Sequence, residues 1–384
     1  MYRKATYGVN GNPTDKIGRA YAASRALLNA GYWERQMSNE LFREGGPHKI
    51  RKTGPDEYTM NITLPSDSDG RLARECPVDT CSPGYFKVRS GTGITGGQEV
   101  AYCPYCRFEG EPSGFTTQEQ LRYAQDLALA EAHEGIERMV KDAFGLGPSG
   151  KKKIGGGFLS IEMSYKPGSA SHVRRPFEEE VRRDVICPHC GLDHSVYGLA
   201  TWCADCGHDI FLTHVEAELN VVRAMLADVD RRRESLGIRV AAKDLENCLE
   251  DTVSIFEAVL RAEVRRHFVA RGVTVEDIDQ FFKKVGNAFQ SVRRAEQIFH
   301  DELGIPLLQA LSEGEVTALV GTFEKRHPIT HNLGVVDKKY IERARTAERE
   351  GREIYVNAEE ITSAIDCSMR LFSTIHSQMF SEGR

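Results

Sequence analysis

The stretch FEKRHPITHNLGVVDKKY, Phe323 to Tyr340, decides how the C-terminal third of the chain is read. It places Arg326, His327 and His331 within six residues and then breaks at Asn332 and Gly334. A helix is expected to run in from Ser312. Pro328 must kink or restart it, because proline has no N–H to give to the helical ladder. Ile329 and Val336 are expected to face a core. Arg326 and His331, about one and a half turns apart, would then converge on one cleft, with His327 on a different face.

Arginine presents a planar fork that matches phosphate oxygens and keeps its charge, and histidine takes or gives a proton near neutrality. Together they can cleave RNA without a metal. One imidazole removes the proton of a ribose 2′-OH, the guanidinium stabilises the phosphorane, and a second acid protonates the leaving 5′-oxygen. The scheme needs two imidazoles, so a homodimer with two motifs across one cleft suits it. Spacing alone is not specific. Arg43 and His48 repeat it, and the pairs Arg294/His300 and Arg261/His267 nearly do. A plainer alternative pairs Arg326 with a carboxylate such as Asp337 and leaves His331 to cap the helix end. Asn332 then either orients a ribose or forms a left-handed turn with Gly334.

Working outward, helical periodicity covers 215–235, 242–270, 275–302, 313–326 and 357–380. Ser312 with Glu315, and Asn357 with Glu360, form capping-box patterns at two of these starts. Cys248 and Cys367 fall inside helical periods and read as packing residues. With these elements in place, the region from about Asp244 to His376 resembles a HEPN domain. RHPITH fits that family's motif of Arg, a polar residue, three more residues and His, with His327 in the polar slot. HNLGVVDKKY also resembles family members, and LENCLEDTVSIFEAVLRAEVRRHF, Leu245 to Phe268, resembles the first helix of the bundle. The resemblance implies a helical bundle that dimerises so that Arg326, His327 and His331 of two copies form one RNA-cleaving site. It also implies a role as a toxin or anti-phage effector, with an antitoxin or a phage-derived trigger as partner.

Eight of the ten cysteines form two quartets. Cys187 and Cys190 are followed, after a spacer, by Cys203 and Cys206, with Gly191 and Gly207 next to the paired cysteines. Two CxxC loops complete a tetrahedral four-sulfur site, and glycine tolerates the positive φ of a tight knuckle. The other quartet is Cys76, Cys81, Cys103 and Cys106, with a longer first loop. Two structural zinc ions are expected. Such a site has no open position for catalysis, and it holds together a segment too small to bury its own core. A redox CxxC is the alternative, and the paired loops favour metal. His189, His194 and His208 are expected at the surface near the second quartet rather than as ligands.

The expected class is mainly α: a C-terminal HEPN-like helical bundle preceded by two small β-rich zinc ribbons and connecting helices. The boundaries are 1–70, a helical segment and loop; 71–115, the first ribbon; 116–172, a helix and a Gly/Lys-rich linker; 173–214, the second ribbon; and 215–384, the bundle. The first segment includes a helical pattern from Lys16 to Glu44 with Thr14 and Asp15 as caps. GLGPSGKK, Gly145 to Lys152, matches part of a phosphate-binding loop, but it follows helical residues and carries Lys where magnesium needs Ser or Thr. A net charge of −6, with 19 basic and 24 acidic residues after position 240, gives no global nucleic-acid signal. Phosphate binding would rest on local clusters such as Lys151–Lys153 or Arg231–Arg233. No apolar run is long enough for a bilayer and the start has no apolar leader, so the expected compartment is the cytoplasm, without membrane contact. Two functions compete: a metal-independent endoribonuclease, and a non-catalytic dimer whose ribbons dock nucleic acid or protein. A nucleotide switch at the Gly145 loop is a third.

Overall fold

The computed structural model describes residues 5–8 and 41–380, apart from 56, 95–97, 148, 157–159, 167, 169–171, 177–179 and 181–182. Small antiparallel sheets occupy the N-terminal half and helices the C-terminal half, in accord with a mainly α chain. The chain divides into two compact units. One comprises Met1–Asp79, Gly84–Val100 and Gly110–Glu180; the other comprises Thr80–Pro83, Ala101–Glu109 and Val181–Arg384. The expected helix from Lys16 lies, up to residue 40, outside the described residues, as do its caps Thr14 and Asp15.

In the first unit, β1 (Ala5–Gly8), β2 (Arg51–Lys52) and β3 (Tyr58–Ile62) form an antiparallel sheet with β3 in the middle. Alternation along β3 turns Met60 and Ile62 inward, where they join Ile50 and Ala124 in a small core. Ala124 belongs to α1 (Gln118–Ala143), which starts at a reciprocal capping box between Thr117 and Gln120. The Gln120 amide also donates to the Ala73 carbonyl at 3.0 Å, tying α1 to the hairpin of β4 (Arg71–Glu75) and β5 (Tyr85–Arg89). Gly135 of α1 faces Leu41 so closely that a Cβ would sit 1.7 Å from its carbonyl oxygen, so no other residue fits there. Two short strands, β6 (Ala101–Tyr102) and β7 (Glu109–Gly110), precede α1 in the chain. The basic run read as a linker is in part a strand: β8 (Lys151–Ile154) pairs with β9 (Ile161–Ser164). The described residues after the Gly145 loop form this strand, where a phosphate-binding loop needs a helix.

In the second unit, a hairpin of β10 (Arg183–Ile186) and β11 (Asp193–Val196) leads to the helices. These are α2 (Phe211–Leu236), α3 (Ile238–Ala270), α4 (Val275–Val285), α5 (Val292–Ile298), α6 (Glu313–Glu324), α7 (Arg326–Asn332), α8 (Lys338–Ala344) and α9 (Ala358–Phe380). The 33-residue α3 is central. Its Phe256 meets Phe323 edge-on at 5.0 Å and Phe372 at 5.5 Å, which pins α6 and α9 to it. Both expected capping boxes form, and Cys248 and Cys367 are buried in this core.

The helix expected over 275–302 is broken. Gly286, at φ 54°, ends α4, and a 3-10 turn then buries Ala288 and Phe289 before α5 begins. Arg261 donates to the Gly286 carbonyl at 2.7 Å, supplying a cation where the last turn leaves acceptors unpaired. Replacing Phe256 by Ala should cost about 3–5 kcal/mol through the cavity it leaves. Ser312→Ala should cost only about 1 kcal/mol, the worth of one cap. Urea unfolding followed by helical circular dichroism would rank the two, and equal costs would contradict the packing described.

Candidate functional site

Three of the CxxC segments share one backbone pattern. The N–H groups of Cys103, Cys187 and Cys203 donate to the carbonyls of Phe108, Leu192 and His208, five residues on. The N–H groups of Arg107, Gly191 and Gly207 donate back to the three cysteine carbonyls. All three of those residues have positive φ. Glycine does so freely, whereas Arg107 carries a cost of about 1 kcal/mol. Its guanidinium lies over the Trp202 ring at 4.6 Å, which offsets part of it. The longer loop after Cys76 closes differently, with the Cys76 N–H on the Gly84 carbonyl at 2.9 Å.

These loops gather the cysteines into two clusters, each with its four sulfurs within 4.8 Å of one another. The Sγ atoms of Cys187 and Cys206 are 3.7 Å apart, those of Cys190 and Cys203 3.5 Å, and those of Cys81 and Cys103 3.7 Å. Four thiolates about 2.3 Å from one ion would be about 3.8 Å apart, so both clusters fit a four-coordinate metal. The N–H groups of Tyr105 and Asp205 point at the sulfurs of Cys103 and Cys203. Burial pushes the Cys190 thiol up to about 12 and raises Cys81 and Cys203 as well. Cys187 lies below the usual thiol range despite its burial, because the N–H groups of Cys190 and His189 favour its thiolate. Metal binding must therefore displace protons from the raised thiols.

His189 and His208 stack at 4.4 Å on the exposed rim of the second cluster, as expected of surface residues. His194 departs from that expectation. It lies in β11, where Ser195 and Val196 are buried as well, and is itself fully buried.

Proline positions the Arg/His turn as its chemistry requires. Helix α6 ends at Glu324, and α7 restarts at Arg326 with Pro328 in its first turn, where a missing N–H leaves nothing unpaired. Pro328 and Ile329 are buried, as is Val336 beyond the turn. Leu333 and Gly334 take the left-handed conformation, and the Gly334 N–H returns to the Pro328 carbonyl at 2.9 Å. Asn332 closes the turn by donating to the Val335 carbonyl.

The structure brings the two imidazoles together. The rings of His327 and His331 lie 5.0 Å apart, because residues four apart share one face of a helix. Arg326 is placed elsewhere: its Nη1 donates to Gln290 Oε1 at 2.7 Å, and its Nε is buried without a hydrogen-bond partner. Gln290 in turn donates to Glu257, which accepts from Arg261. Asp337, suggested by the sequence as a partner for Arg326, faces His327 instead at 3.8 Å, while its other oxygen caps α8 through the Tyr340 N–H. Burial, with Lys339 nearby, lowers the His327 pKa below its ordinary 6.5. Gln290 and Glu257 escaped sequence reading because no motif spacing links them to a residue dozens of positions away.

Each cluster should bind one metal ion per chain, counted by native mass spectrometry, with Cys203→Ser reducing the total from about two to about one. Loading the metal-free protein should release protons to a pH indicator, and the same stoichiometry in the Cys203→Ser variant would refute the assignment. No protein-family model, curated protein or solved structure matches this chain.

Proposed function

We propose that the chain is a metal-independent endoribonuclease of HEPN type, acting as a homodimer, with zinc as the structural metal of both cysteine clusters. The observation that carries this reading is the His327–His331 pair, 5.0 Å apart and one residue from an anchored arginine. Sulfur donors in tetrahedral array favour zinc, and a closed four-sulfur site leaves the reaction to other groups.

The lowered pKa of His327 keeps its imidazole neutral at pH 7, the form that accepts a proton. In the proposed reaction His327 takes the 2′-OH proton, the O2′–P bond forms, and Arg326 stabilises the charge on the phosphorane. The P–O5′ bond then breaks as a protonated imidazole gives its proton to the leaving oxygen. Attacking and leaving oxygens lie on opposite sides of phosphorus, and each needs a nitrogen within about 3 Å. Two rings on one helix face crowd the same side, so His331 of the partner subunit suits the acid role. Lys339 and Arg343 add positive charge near the imidazoles, which suits a phosphate. A toxin or anti-phage effector held silent by an antitoxin or awaiting a phage-derived trigger agrees with such a reaction.

Purified protein carrying its metal should cut RNA in excess EDTA and leave 2′,3′-cyclic phosphate ends. His331→Ala should lower the rate at least 100-fold with the helical signal unchanged. Because the His327 pKa is lowered, the acid limb of the rate, where the base is protonated and lost, should be centred below pH 6.5, and a limb centred above 6.5 would count against it.

A second reading has its own support. Gln290 already occupies part of the Arg326 fork, and Arg326 Nε is buried, so the residue serves the fold as it stands. In that case the protein is a non-catalytic dimer that binds nucleic acid or protein through its ribbons. Total RNA left intact by the parent and by Arg326→Ala alike would favour it.

A further inference from the structure

A groove of about 680 Å³ runs along α3 in the second unit, and neither the residues of the Arg/His turn nor any cysteine lines it. Its floor is Val221 and Val222 of α2, Ile255, Ala258 and Ala262 of α3, and Phe282 of α4. It exists because Ser254, Ala258 and Ala262 stand four residues apart on α3, and their short side chains leave one face hollow. Val221 is 59% exposed, a large apolar side chain with little to cover it.

The ends of the groove differ in charge. Asp251 stands at one end, with no hydrogen bond or ion pair on its carboxylate among the described residues, and burial together with Glu250 raises its pKa. Arg265 and Arg183 line the groove elsewhere. Arg265 gives one N–H to Asp279, and Arg183 gives its Nε–H to Glu218. Each guanidinium has five N–H donors, so both retain spare ones. Asp251 and Arg265 are fourteen residues apart on one helix, about 21 Å.

The lining is wrong for RNA. Its aromatic side chain, Phe282, already lies under the guanidinium groups of Arg261 and Arg265, at 5.1 and 5.3 Å. Asp251 and Glu218 would repel a phosphate backbone. Aliphatic side chains fit the floor, and a span of about 21 Å matches about six residues of extended chain. We propose that this groove docks an extended peptide segment of a partner protein. A basic or amino group sits at Asp251, aliphatic side chains on the floor and a carboxylate at Arg265. The proposal is independent of any catalysis at the Arg/His turn.

The probe is a library of displayed random octapeptides panned on the full-length, metal-loaded protein. Enriched sequences should carry an acidic residue about five positions from a basic one, with aliphatic residues between. A synthetic peptide of the enriched sequence should lose at least tenfold in affinity on Val221→Asp and on Ala258→Trp, both at exposed positions that leave the core intact. Arg265→Glu should weaken it similarly, and exchanging the peptide's acidic residue for Lys should restore binding to that variant. The proposal is overturned if no sequence is enriched, if both groove variants bind as the parent does, or if a single-stranded oligonucleotide displaces the peptide.

Discussion

Glu263 sits two turns before the C-terminal end of α3 with no exposed surface. Taking a carboxylate out of water costs several kcal/mol unless charge and hydrogen bonds meet it, and much of the second unit is arranged to do so. His376 of α9 approaches its Oε1 at 2.7 Å, and Arg266 lies one turn along α3 at 4.0 Å from its Oε2. Arg266 also pairs with Asp209 and is enclosed by the rings of Trp202, Phe211 and Phe380. Trp202 and Asp209 flank the knuckle of Cys203 and Cys206. One buried charge therefore ties a cysteine cluster, the central helix and the last helix together. The segment that carries the second cysteine cluster is consequently part of the helical framework rather than an appendage.

The same helix serves other tasks from its remaining faces. Phe256 fills the core, and Glu257 begins the hydrogen-bonded chain through Gln290 to Arg326. The stripe from Asp251 to Arg265 borders the groove. Glu257 also binds Arg261, which caps Gly286 at the end of α4. The arginine of the turn is thus held by a network whose other end lies at the groove wall. A helix of 33 residues can do this because its 3.6-residue period separates the tasks by angle while the backbone holds them in fixed register.

Much of this was legible in the chain. Cysteine knuckles are local objects, closed by hydrogen bonds over five residues, so Cys187-x2-Cys190 and Cys203-x2-Cys206 announce themselves. Capping boxes at Ser312 and Asn357 are local for the same reason, and both helix starts formed where the pattern put them. The break between α4 and α5 is not legible in the chain, because apolar periodicity continues across Gly286, and only the burial of Phe289 shows why the chain turns there. The burial of His194 is not legible in the chain, because spacing near a cysteine loop says nothing of what packs against the strand.

The Arg/His turn divides along the same line. Sequence by itself determined that Pro328 restarts a helix, that Ile329 and Val336 face the core, and that four cysteines twice over come within reach of one ion. Those outcomes depend on bonds and periods spanning a few residues. Tertiary structure alone decided that Arg326 turns to Gln290, that Asp337 faces His327, and that small residues on α3 leave a groove. Each of these joins segments distant in the chain, and such contacts are set by how whole helices pack rather than by the residues beside them.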